Sequence, residues 1–284
     1  MRELLKRLGV IGTAVFFAAA AACGGGEEAA DGEGEPAEDA GPAVHPDSAA
    51  TISGVVSFEG AKAAGEPIDM SDEPACAEQY TEPPVSESVV GDDGRLGSVY
   101  VFVSEGLPDR SWPTPSEPVT MDQQGCRYHP HVLAIQAGQP LEIVNSDGIL
   151  HNINTQPTAN QGFNISQPVE MSTTREFSTA EVMIPVKCDV HGWMEAYIGV
   201  QDHPYAVVTG EDGSFTIENL PAGTYTIEAW HEVYGTQTTT VTVAAQETGE
   251  ANFTYSADMA GRSIRLGEPI DLHDHGDDRV ASAH

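Results

Sequence analysis

The feature that most constrains this chain is a recurrence of short β-type runs with nothing of helical period between them. The segments "TISGVVSF", "GSVYVFV", "PLEIVN", "TTREFS", "AYIGVQ", "GSFTIE", "GTYTIEAW", "TTTVTV" and "ANFTY" are rich in Val, Ile, Thr, Phe and Tyr. Clusters of Gly, Pro, Asp and Asn separate them, and these residues end strands and build turns. After the N-terminal apolar segment, no stretch repeats its apolar residues at helical spacing. An all-β protein built of sandwiches is expected.

The chain opens with "MRELLKRLGVIGTAVFFAAAAAC", in which Arg2, Lys6 and Arg7 precede an uncharged apolar run from Leu8 to Ala22. That run is short for a bilayer span and has the layout of an export signal. Small residues lead directly to Cys23 and Gly24, which resembles a bacterial lipoprotein signal, with Ala20 where that family usually carries leucine. The resemblance implies that residues 1–22 are removed and that Cys23 is lipidated. The protein would then be exported and membrane-anchored on the periplasmic or extracellular side. An ordinary cleaved signal is the other reading, and it leaves an odd thiol in an exported protein. From 23 to 50 the chain is Gly, Ala, Pro, Glu and Asp with few large apolar residues. Such a stretch cannot bury enough surface to offset its ordering entropy, so a flexible acidic linker is expected. The formal charge of -32 excludes a basic nucleic-acid footprint. It suits cationic partners or a heavily solvated acidic surface.

In "GEDGSFTIENLPAGTYTIEAW", residues 210 to 230, Phe215 and Ile217 and then Tyr225, Ile227 and Ala229 alternate onto one face around a tight turn. The pattern resembles the carboxypeptidase regulatory-like family, a small transthyretin-type sandwich. Residues 204–256 alone supply too few strands to cover both faces of a sandwich core. "TISGVVSFEGA" and "GSVYVFV" resemble the opening strands of the same family. A discontinuous domain of 51–117 and 204–256 is therefore expected, with 118–203 inserted. The Pro-rich "LPDRSWPTPSEP" suits the crossing, because each Pro removes a backbone donor and fixes φ. Residues 257–284 read as a polar, disordered tail. Its "DLHDHGDD" offers a loose divalent-metal site but has no apolar anchors.

"KCDVHGWMEAYIG", residues 187 to 199, places Cys188, His191 and Met194 at intervals of three. Zinc favours Cys, His or carboxylate and no thioether, whereas copper accepts all three donors. His151, in "NSDGILHNINTQ", follows the strand-like "PLEIVN" and a short turn and supplies a second imidazole. Two imidazoles, a thiolate and a thioether form the donor set of a His2Cys copper plane with a long axial Met. Cys188 would end the strand "EVMIPVK", and "EAYIGV" would run back from the loop. Taken singly, a Cys or Met is usually core packing and a His usually surface. Together and in this order, within about 118–203, they resemble the cupredoxins, the plastocyanin, azurin and amicyanin family. The loop spacing is similar to the short ligand loop of amicyanin.

That resemblance implies a Greek-key sandwich carrying one type 1 copper on His151, Cys188, His191 and Met194. It also implies that the Asn152 N–H faces the Cys188 sulfur and that its side chain pins the ligand loop. By the same resemblance the edge of His191 reaches an apolar surface patch where electrons leave. Trp193 either shields the metal, lines that route, or simply packs over the loop.

Cys76 in "DEPACAEQY" and Cys126 in "QQGCRYHPH" most simply pair as a disulfide. It would close a loop of about fifty residues, worth about 4 kcal/mol in the chain-entropy model. The alternative is a second metal site using Cys126, His129 and His131. His231, at a strand end, either faces the copper domain or is ordinary hydrogen-bonded structure. The resulting expectation is a membrane-tethered carrier of single electrons between extracytoplasmic redox proteins, a cationic cytochrome being the partner that the charge suggests. It is not expected to be an enzyme. A full ligand sphere leaves no open position, and no triad, phosphate loop or flavin fingerprint stands out. Copper capture and delivery, or a surface-binding β-sandwich lipoprotein, are the alternatives.

Overall fold

A computed structural model of the chain describes residues 46–60, 65–88, 91 and 94–261. The export signal, Cys23, most of the acidic linker and the "DLHDHGDD" stretch lie outside the described residues. After a 3-10 turn at Pro46–Ser48 come β1 (Ala50–Glu59), the short helix α1 (Pro74–Ala77) and β2 (Tyr100–Glu105). β3 (Val119–Gln124), β4 (Arg127–His129), β5 (Val132–Gln136), β6 (Leu141–Asn145) and β7 (His151–Thr155) follow. Next are β8 (Asn164–Gln167), β9 (Met171–Arg175), β10 (Glu181–Lys187) and β11 (Glu195–Gln201). The last strands are β12 (Ala206–Val208), β13 (Ser214–Leu220), β14 (Gly223–His231), β15 (Gly235–Val243), β16 (Thr248–Glu250) and β17 (Phe253–Ser256). The protein is all-β, and the alternating runs of the sequence fall on these strands. Among the described residues no helix is long and apolar enough to cross a membrane.

The strands form four sheets in two facing pairs. In the first pair, β1 runs antiparallel to β13 and parallel to β16 and β17. The opposing sheet has the order β12-β2-β14-β15. Ile52, Val56, Val101, Val103, Phe215, Ile217, Ile227 and Phe253 meet between them. β1 and β2 are therefore central strands, and the C-terminal strands alone would leave a gap in each sheet. The second pair comprises β5-β11-β10-β7-β8 and β4-β3-β6-β9, packed on Met121, Leu141, Ile143, Ile153, Ile184, Val186 and Ile198.

β2 explains how the two sandwiches join. Its run "YVFV" is buried on every residue: Val101 and Val103 face the first core. Tyr100 and Phe102 face outward onto Val132, Met183 and Trp230. Burial on both faces is what makes such a strand read as continuously apolar. Gly199 of β11 admits the Tyr100 ring, since a Cβ there would lie 2.4 Å from it. Polar contacts cross the same boundary at Glu232, whose carboxylate pairs with His131 Nε2, both side chains largely buried, and accepts a hydrogen bond from Tyr197.

The packing departs from the expected boundaries at three places. Residues 65–88, assigned above to the first sandwich, send Met70 and Cys76 into the core of the second, with Ile68, Ala77 and Tyr80 packed against it. The apolar residues of this segment are too sparse to show strand alternation, so only packing reveals their side. Structure also begins before residue 51 and continues past 256. Ala50 is buried in the first core, and Met259, on the turn Ala257–Met259, packs against that core.

Candidate metal centre

The β10–β11 hairpin builds most of the site. The strands pair antiparallel down to Lys187 and Glu195, and Cys188 to Met194 form the loop between them. The loop closes on itself: the Cys188 N–H donates to the Met194 carbonyl (3.2 Å) and the Met194 N–H to the His191 carbonyl (2.9 Å). The His191 N–H points at the Cys188 sulfur (3.4 Å). β7 lies antiparallel to β10, with Lys187 opposite Asn154, which brings His151 and Asn152 to the end of β10 where the loop starts.

His151, Cys188 and His191 are all buried, and one donor atom from each lies within 4.8 Å of the others. The two imidazoles face each other through Nδ1 (2.9 Å), and His191 Nδ1 is 3.8 Å from Cys188 Sγ. His151 Nε2 donates to Asp147 Oδ2 (2.8 Å), which commits its outer nitrogen and leaves Nδ1 for the centre. Met194 is buried in the same cluster as Cys188. Cys188 is the free cysteine among the described residues.

The electrostatics favour a deprotonated sulfur. Burial pushes the Cys188 thiol up. The hydrogen bond from His151 and the N–H groups of Asn152, His191 and Val190 outweigh burial and hold it below the usual thiol range. Burial also opposes charge on His151, but Asp147 and the Cys188 sulfur raise that imidazole to about 9. His191 is depressed, by burial first and by the neighbouring His151 charge second. In the metal-free protein Cys188 is thus shifted toward its thiolate form and His151 toward its imidazolium form. His191 turns Nδ1 to His151 and Nε2 outward.

Asn152 pins the loop. Its Oδ1 accepts the Asp189 N–H (2.7 Å), while its Nδ2 donates to Asn164 Oδ1 (2.7 Å) and Asp189 Oδ2 (3.1 Å). The sequence reading missed Asp189 itself, whose carboxylate also accepts from Asn154 (2.9 Å) and Asn164 (2.7 Å). It likewise missed Asp147. No periodicity marks either residue, and only the fold brings their partners close.

Trp193 is half-buried, packs at a tilt of 34° against the His191 ring (centroids 5.1 Å apart) and donates from Nε1 to the Cys126 carbonyl (3.0 Å). The expected surface edge of His191 is absent: the ring is 2% exposed, with α1 over its outer side. Cys76 Sγ lies 3.8 Å and Glu73 Oε2 3.9 Å from its Nε2. Cys76 and Cys126 form a disulfide. His129 and His131 do not join Cys126: the first contacts the Gln124 carbonyl and the second the Glu195 carbonyl and Glu232. His231 lies at the sandwich boundary beside that pair. It is buried, its Nδ1 accepts the Val233 N–H (3.1 Å), and burial drives it down to about 4.

A family model of the carboxypeptidase regulatory-like domain matches residues 195–256, starting within β11 and continuing to the end of β17. No curated protein matches. Among solved structures, amicyanin from Paracoccus versutus is similar at 17% identity, over 36% of this chain and 97% of that one, with a TM-score of 0.27. A purple cupredoxin from Nitrosopumilus maritimus is similar at 18% identity, over 29% of this chain and 98% of that one, at 0.25. A copper-containing nitrite reductase from Thermus scotoductus SA-01 is similar at 19% identity over 34% of this chain, at 0.29. This chain spans 25% of that reductase's length.

Proposed function

We propose that this chain is an extracytoplasmic blue-copper electron carrier, tethered through Cys23, that exchanges single electrons with redox proteins and performs no catalysis. His151, Cys188 and His191 would hold the metal, with Met194 as a fourth donor. When bound, copper supplies a one-electron couple. The chain supplies burial, a sulfur biased toward its thiolate form, and imidazoles oriented by their outer nitrogens. In this reading 51–117 with 204–256 is a regulatory-like sandwich, interrupted by a cupredoxin domain at 118–203, with the 65–88 segment lent to the latter.

The observation that carries the reading is the gathering of three buried side chains, His151 from β7 and Cys188 and His191 from the internally hydrogen-bonded hairpin loop, with donor atoms within 4.8 Å of one another. Copper is preferred over zinc because the donors are two nitrogens and a sulfur beside a buried thioether. The test is the visible and EPR spectrum of protein starting after Cys23 and loaded with Cu(II), beside Cys188→Ser. An intense thiolate-to-copper band with narrow hyperfine splitting, absent from the variant, is expected. Copper bound without that band removes the electron-carrier reading and leaves copper delivery.

A further inference from the structure

The half-cystines of the disulfide reach the outer nitrogens of both imidazoles by separate routes. On one side Cys76, the fully buried residue of α1, places its sulfur 3.8 Å from His191 Nε2. On the other, Gly125 and Cys126 form the two-residue turn between β3 and β4, both with positive φ, +63° and +53°. A left-handed conformation is unusual for cysteine and persists where the surroundings impose it. Here it aims two N–H groups at one carboxylate: Gly125 at Asp147 Oδ1 and Cys126 at Asp147 Oδ2, 2.7 Å each. Asp147 Oδ2 is also the atom that accepts His151 Nε2. A third contact runs from the Trp193 indole N–H to the Cys126 carbonyl, and that indole packs at a tilt against the His191 ring.

A ligand imidazole uses one nitrogen for the metal, and the partner of the other nitrogen fixes its rotation. For His151 that partner is Asp147, held by the Cys126 turn. For His191 the nearest partner is the Cys76 sulfur, with the Glu73 carboxylate beyond hydrogen-bond range at 3.9 Å. We infer that the Cys76–Cys126 disulfide is a positioning group for both histidines of the centre, so that the integrity of this one bond governs how firmly a metal is held. The inference rests on the copper reading for its consequence, while the positioning itself is a property of the metal-free protein.

The test compares the wild type with Cys76→Ser/Cys126→Ser, both as the full chain after Cys23. Solvent exchange of the His191 ring N–H is followed by NMR without metal, and Cu(II) release to a colorimetric chelator is followed with it. Ring exchange about tenfold faster, and copper loss about 10–100-fold faster, are expected, the scale of effects when support for a ligand is removed. A variant that unfolds cooperatively, yet exchanges its ring proton and releases copper as the wild type does, overturns the inference. Where the double variant does not fold, Trp193→Phe replaces it, keeping the disulfide and a ring on His191 but losing the donor to Cys126. Accelerated ring exchange then supports the inference, and unchanged exchange overturns it. If the wild type shows no thiolate-to-copper band while ring exchange still responds to these changes, the copper function falls and the positioning role stands.

Discussion

At the scale of single residues, the site is organised before any metal arrives. Asp189 follows Cys188 and ties the loop to β7 and β8 through Asn152, Asn154 and Asn164. Asp189→Ala should free the loop's second residue, with copper loss to a chelator accelerating by about an order of magnitude. An unchanged off-rate would show that the Asn152 bond to the loop backbone suffices alone. The Cys188–His151 pair makes a second prediction. Cys188 is held below the ordinary thiol range and His151 is raised to about 9. The stabilisation from His151 is full below its unfolded value of about 6.5 and is lost as pH rises through about 9. That from Cys188 is present above its unfolded value and is lost as pH falls through its lowered one. The thiolate ultraviolet absorbance of the metal-free protein should therefore appear at lower pH than the usual cysteine range of about 8.5, and Cys188→Ser should abolish it. Copper uptake must expel the His151 Nδ1 proton, so affinity should fall on acidification.

At the scale of elements, the boundary between the sandwiches rests on β2, β5, β11 and β14. Gly199→Ala would drive a methyl into the Tyr100 ring, at 2.4 Å from a ring carbon, and should cost about 1–3 kcal/mol in urea unfolding. Adding Tyr100→Leu should recover part of that loss, and failure to recover it would place the strain elsewhere. The same boundary carries two histidines of opposite tendency. His131 is opposed by burial but raised on balance by Glu232, so its stabilisation is present at low pH and fades as pH rises through its elevated value. His231 is depressed to about 4 by burial, so its neutral form stabilises above about pH 6.5 and that contribution is lost as pH falls through about 4. The full shift corresponds to an order of 3 kcal/mol. Acid unfolding of His131→Gln should be the steeper of the two, because only the destabilising partner remains. Equal profiles would show that His231 charges without cost.

At the scale of the whole molecule, the charge of -32 sets the terms of any encounter. Electron exchange with a small cationic cytochrome should slow as ionic strength rises and the Debye length shortens from about 10 Å at 0.1 M. Salt-independent exchange would exclude electrostatic docking. The all-β class was legible because alternation in β1, β13, β14 and β15 is a local property: one face is buried and the other wet. The donors proposed for the centre were nameable for a related reason. Three of them, Cys188, His191 and Met194, lie on one hairpin loop, so spacing alone groups them, and chemistry supplies His151. Asp147, Asp189 and the α1 cap were not legible, since each acts across 20 residues or more of sequence or through an unmarked carboxylate. Segment 65–88 changed sandwiches, and His191 turned out to be sealed, for the same reason: which surface a sparse, polar segment covers depends on what the packed sheets leave open. Side-chain alternation and donor chemistry are written residue by residue in the chain. The enclosure of the imidazoles, and the disulfide that reaches both of them, exist only once distant strands have packed.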